Sequence, residues 1–108
     1  MKNLEKTERN ITDSNGEIIF SSVVELNKAN MFHLYSVRNI WNVGKTGWKI
    51  HNTNVVEFND KEKAKKFYES IVSAIDEALD ETDYKNITDN EVCDRIKIIF
   101  YDEIVELE

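Results

Sequence analysis

Proline is missing altogether from the 108 residues, cysteine occurs once, and glycine and arginine occur three times each. Without proline no rigid linker interrupts the chain, and its length suits one unit, so residues 1–108 read as a single domain. A lone Cys93 cannot close an internal disulfide, which points to a reducing compartment such as the cytoplasm. No apolar run approaches the roughly 18 to 20 residues that cross a bilayer, so no membrane partner is expected. The opening "MKNLEKTERN" lacks an apolar h-region, and no secretory signal is expected from it. Soft metal ligands are as scarce: His33, His51 and Cys93 show no paired-ligand spacing, so neither a metal nor a cofactor is expected. Nucleophilic chemistry at Cys93 would need a histidine base brought to it by the fold. The residue reads better as an inert thiol, and no catalytic group is assigned.

Asparagine, isoleucine and lysine are abundant, the bias that AT-rich codons leave in a low-GC bacterium or its phage. Acid and base are unevenly spread. Net charge is −7, yet residues 1 to 54 carry seven Lys and Arg against five acids, while residues 55 to 108 carry sixteen acids against seven bases. From Glu69 onward thirteen acids face only Lys85, Arg95 and Lys97, a local −10. Such asymmetry speaks of partners and solubility rather than of fold.

The first half has the period of strands. Residues 1–13 read as either a disordered or an edge segment. Ser14-Asn15-Gly16 is a turn signal, because Asn and Gly tolerate positive φ. "EIIFSSVVEL" (17–26) follows, rich in β-branched residues. In "MFHLYSVRNIWNV" (31–43) alternation sets Phe32, Leu34 and Ile40 on one face and His33, Tyr35, Val37 and Trp41 on the other. A third strand starts at Trp48, breaks at Asn52-Thr53-Asn54 and resumes at Val55. The period then changes. Asn59 and Glu62 form a capping box, and Ala64, Phe67, Ile71, Ala74, Ile75, Ala78 and Leu79 recur at helical spacing to about residue 80. Thr88 and Glu91 form another box, predicting a short helix near 89–94. In "RIKIIFYDEIVELE" the alternation of Ile96, Ile98 and Phe100 predicts a strand over 95–101, although Val92, Ile96, Phe100, Ile104 and Leu107 also fit a helix. The expected architecture is α+β: an antiparallel meander of three to four strands covered by one amphipathic helix, with a short second helix and a C-terminal strand.

Gly44-Lys45-Thr46 has the ending of a phosphate-binding loop, but the first glycine of that motif would fall at Asn39, and a strand pattern follows instead of a helix. The segment is better read as a hairpin tip. Trp41 and Trp48 flank that tip, with Arg38, Lys45 and Lys49 near. Aromatics among cations can stack and neutralise single-stranded nucleic acid, so Trp41, Trp48 and Lys45 form a possible secondary aromatic site. The competing reading is a cross-strand tryptophan pair that pins the hairpin. Net negative charge favours the latter, since phosphates are bound chiefly through Lys and Arg.

Acids carry the stronger signal. On the expected helix Glu62, Glu69, Asp76 and Asp80 project within about 40° of one another. Glu77, Glu81 and Asp83 continue the charge, and Asp89, Glu91 and Asp94 resume it. The bland reading is a solvated, solubilising face. The sharper one is a surface that fits a basic groove, where complementary potentials steer association.

A meander, then a helix holding "KFYESIVSAI", then the acidic connection "DEALDETDYKNITDNE" and the β-like "IKIIF": this order resembles small phage-encoded anti-CRISPR proteins of low-GC hosts. The likeness spans about residues 48–101 and is one of layout and composition. It implies an inhibitor that is not an enzyme, in which an acidic face mimics DNA where a CRISPR nuclease reads its target. The expected partner-binding residues are then Glu69, Asp76, Glu77, Asp80, Glu81, Asp83, Asp89 and Glu91, and the expected partner is a basic protein, a nuclease. An immunity or antitoxin protein that plugs a basic toxin nuclease would use the same electrostatics. A single-strand binder built on Trp41 and Trp48 is the remaining alternative.

Overall fold

The computed structural model describes residues 2–12, 15–29, 34–43 and 50–81, together with positions 94, 95, 98, 101 and 102. Four strands, β1 (Lys2–Thr12), β2 (Ile18–Lys28), β3 (Tyr35–Val43) and β4 (Ile50–Phe58), precede one helix, α1 (Lys61–Glu81). All strand pairs are antiparallel and the order in the sheet follows the chain, β1-β2-β3-β4. This is the α+β meander under one helix that the periodicities imply. A short second helix near 89–94 falls outside the described residues except at Asp94. The C-terminal strand is a correction: at the described positions 94, 95, 98, 101 and 102 the backbone is helical.

β2 runs on to Lys28 and β3 starts later than its local sequence suggests, because pairing decides their limits. β3 begins at Tyr35 instead of 31, opposite both Lys28 and Phe58. β4 passes unbroken through Asn52-Thr53-Asn54, since Trp41, Ile40 and Asn39 supply the ladder there. Asparagine is a poor strand former on its own; two flanking valines and a ready-made neighbour outweigh that. Gly16 closes the β1–β2 connection with φ +83°, which a side chain would strain.

Register fixes the two faces of the sheet. Phe20, Ser22, Val24 and Leu26 of β2 stand opposite Val43, Trp41, Asn39 and Val37 of β3. This row faces α1. The helix contributes Ala64, Phe67, Tyr68, Ile71, Ile75 and Leu79, and together with Phe20, Val24, Leu26, Tyr35, Val37 and Trp41 these form the buried core. Phe58 and Phe67 meet with ring centroids 5.4 Å apart and planes tilted 47°, within the favourable range for aromatic pairs. Burying side chains of this size contributes about 1.5–3 kcal/mol each, and without the helix that face would be bare.

The helix start differs from the expected capping box. Asp60, not Asn59, is the cap: its Oδ1 accepts the Glu62 N–H at 2.8 Å and its carbonyl accepts the Ala64 N–H at 3.1 Å. An aspartate one residue further on satisfies the orphan donors of the first turn equally well, and Asn59 is left outside the helix.

Two polar ties join α1 to β1. The hydroxyls of Thr7 and Tyr68 lie 2.6 Å apart, and the Arg9 guanidinium reaches Asp76. Thr7, Arg9 and Ile11 alternate along β1 on the side that faces the helix, each half-buried. The charged sequence of β1 therefore still carries the period of a strand.

Candidate functional site

The acids expected to bind a partner divide into three groups. Glu69 and Glu77 are exposed on α1, and neither has an ion-pair partner among the described residues. Asp76 and Asp80 are shared by one cation, with Arg9 Nη1 at 2.7 Å from Asp76 and Nη2 at 3.5 Å from Asp80. Position 81 ends the helix, its side chain outside what is described, as are Asp83, Asp89 and Glu91 altogether.

Helical geometry explains why Arg9 takes two acids and leaves the others. At 100° per residue, Tyr68 and Asp76 lie on the flank that overhangs β1, and Asp80 sits one turn beyond Asp76. Glu77 projects about 100° from Asp76, towards the flank away from β1. Glu69 stands almost two turns up the axis, about 10 Å from Asp76. Arg9 was not foreseen as part of this surface. The signal was present in the alternation of Thr7, Arg9 and Ile11, which assigns Arg9 to the helix side once β1 is known to be a strand.

The clasp is modest in strength. Asp80 keeps 74% of its side-chain exposure and Arg9 36%, and pairs this open contribute about 0–1 kcal/mol. One cation between two carboxylates leaves a net −1 at that corner. Over the segment from Glu69 to Glu81, about 18 Å of helix, five acids and Arg9 leave four net charges. That is about one per 4.5 Å, close to the one per 3.4 Å along a DNA strand. The acids also stand at the helix end whose dipole is negative, with no base in the last turn. Lys61, Lys63, Lys65 and Lys66 crowd the other end beside Glu62. Both placements oppose the dipole at a few tenths of a kcal/mol per charge, so helix stability does not account for them.

The aromatic alternative fares differently. Trp41 is fully buried beneath α1, so its ring has no face on which a base could stack. Its place in the core is a correction: the period-two row of Tyr35, Val37 and Trp41 is the covered row. Trp48 and Lys45 lie outside the described residues, as does His33; His51 lies within β4. Among the described residues no group of histidine, cysteine or acids could hold a metal ion. No helix among them is long and apolar enough to cross a membrane.

On the uncovered face of the sheet Arg38 donates from Nη2 and Nε to Glu25 Oε1 at 2.7 and 3.1 Å. The pair spans β2 and β3 as direct register partners. The pair engages the Nε–Nη2 side of Arg38, so a carboxylate already neutralises this cation near the hairpin.

Comparison of the chain with protein-family models, with curated proteins and with solved structures finds no match.

Proposed function

We propose that the protein is a small binding protein rather than an enzyme, and that the acidic end of α1 occupies a basic groove of a nucleic-acid-handling enzyme, standing in for DNA phosphates. The observation that supports this reading is the run of acids from Glu69 to Glu81, held against the helix dipole at nearly the linear charge density of a nucleic-acid strand. Glu69 and Glu77 provide the open carboxylates, which arginines of a partner would pair with. Asp76 and Asp80 join them when a partner guanidinium displaces or shares Arg9. The anti-CRISPR layout noted above suggests a CRISPR nuclease as that enzyme. A basic toxin nuclease is the competing partner, distinguished by which of the two the protein inhibits.

The test is inhibition of DNA binding by purified CRISPR nucleases, measured at two salt concentrations. A phosphate-mimicking surface loses affinity steeply as salt rises. The double variant Glu69→Lys/Glu77→Lys should abolish inhibition while its circular dichroism stays unchanged. Inhibition that survives this reversal would remove the acidic end of α1 from the mechanism.

A further inference from the structure

Lysine collects at one end of the molecule. β1 starts there, β2 finishes there and α1 begins there, because the terminal row of the sheet aligns Lys2, Lys28, Tyr35 and Phe58. Lys2 and Lys28 are direct register partners, and Lys61, Lys63, Lys65 and Lys66 occupy the first two turns of the helix. At 100° per residue Lys61 and Lys65 fall on the same flank as Tyr68 and Asp76, the flank that reaches β1 through Thr7 and Arg9. Lys61 stands about 10 Å before Tyr68 along the helix. Lys28 stands about 13 Å from Val24, the partner of Thr7, towards the same end. Lys2, Lys28, Lys61 and Lys65 therefore share one corner, with Lys63 and Lys66 beside it.

Nothing in the fold calls for lysine there. Like charges directly opposite on neighbouring strands destabilise a sheet, and cations in the first turn oppose the helix dipole. Lys28 is half-buried and the other five are exposed. Among the described residues none of the six has an ion-pair or side-chain hydrogen-bond partner. Glu57 alternates onto the other face of the sheet, exposed with Val55. Asp60 is engaged by the Glu62 N–H at the helix cap. Six lysines against Glu5, Asp60 and Glu62 leave the corner at +3.

We infer that this corner is an interaction surface of its own, which binds the phosphate backbone of duplex nucleic acid without reading its sequence. Unpaired ammonium groups on flexible stems suit phosphates as point charges. Among the described residues the rings at this end are closed off: Tyr35, Phe67 and Tyr68 are buried, and Phe58 packs on Phe67. None is free to stack on the bases of a single strand or to enter a lipid surface. The net charge of −7 does not prevent this contact. Asp76 lies about 22 Å up the helix from Lys61, whereas exposed charges are screened beyond about 8–10 Å at physiological salt. The inference concerns the opposite end of α1 from the acids of the proposed function and does not rest on them.

Fluorescence anisotropy of a labelled mixed-sequence duplex, titrated with the full chain between about 50 and 200 mM salt, is the experiment. Micromolar binding is expected at the lower salt. The logarithm of the binding constant should fall against that of salt with a slope of about −3.5 to −5.5, as four to six neutralised phosphates require. Lys61→Glu/Lys65→Glu should weaken binding tenfold or more and flatten the slope by about 2. Both replacements favour the helix dipole, so circular dichroism should show the fold intact. Lys6→Glu makes the same reversal on the other face of β1, opposite Glu25, and should change binding less than about twofold. No binding at the lower salt overturns the inference, as does binding that the double variant leaves intact or that Lys6→Glu weakens equally. A wild-type slope shallower than about −2 overturns it without recourse to a variant. So does a single strand bound more tightly than the duplex, or binding to phosphatidylserine vesicles with none to the duplex.

Discussion

The same two central strands present opposite faces to different surroundings. Towards α1 they carry Phe20, Val24, Leu26, Val37 and Trp41, all buried. Away from it they carry Val23, Glu25, Arg38, Ile40 and Asn42, all half-buried, with the buried polar Ser21 and Asn27 in the same row. The side chains of one face are held by packing, and those of the other by a cross-strand ion pair and partial shielding. Alternation along a strand says that two faces exist, but only the position of the helix says which is the core.

Substitutions ordered by size probe that contrast. Phe67→Ala removes the ring that packs on Phe58 and leaves a hole under the helix; urea unfolding should show a loss of about 3–5 kcal/mol. A result under 1 kcal/mol would mean that the covered face is not close-packed. Asn39→Ala comes next. Buried beside Ser22, Asn39 donates to Ser22 Oγ at 3.0 Å and to the Val23 carbonyl at 3.2 Å, so its loss should cost about 1–3 kcal/mol. Its own Oδ1, with Trp41 Nε1 and Asn54 Nδ2, has no hydrogen-bond partner, which makes this the least satisfied part of the covered face. Glu25→Gln, on the open face, should lower stability by about 0.2–1 kcal/mol, an effect that salt reduces. If it matched Asn39→Ala, the two faces would not differ as described. Arg9→Ala is expected to cost the least, about 0–1 kcal/mol. It frees Asp76 and Asp80, and so should tighten binding to a basic partner; weaker binding would show that Arg9 is itself a contact.

Much of this architecture is readable from period alone. The helix is, because Ala64, Phe67, Ile71, Ile75 and Leu79 repeat as only a helix allows. β2 is as well, from its β-branched run. β1 is harder to read: "KNLEKTERNIT" has little strand propensity, and it becomes a strand because β2 offers it a full ladder and because Thr7, Arg9 and Ile11 alternate. The placement of Trp41 was hidden for a different reason. A tryptophan beside a glycine-flanked turn serves equally as a core residue or as an exposed platform, and nothing within residues 31–43 chooses between them. The candidate site was legible as composition and not as geometry. Counting acids finds the negative end of α1, whereas the cation that divides it comes from a strand 67 residues earlier.

Chain order has a consequence for synthesis. All four strands precede the helix that covers them, so the sheet leaves the ribosome with Phe20, Val37 and Trp41 uncovered. At about 5–20 residues per second, the 21 residues of α1 take about one to four seconds more to follow. Throughout that interval the nascent meander is an amphipathic plate with a wet apolar side, the state in which the chain is most exposed to aggregation.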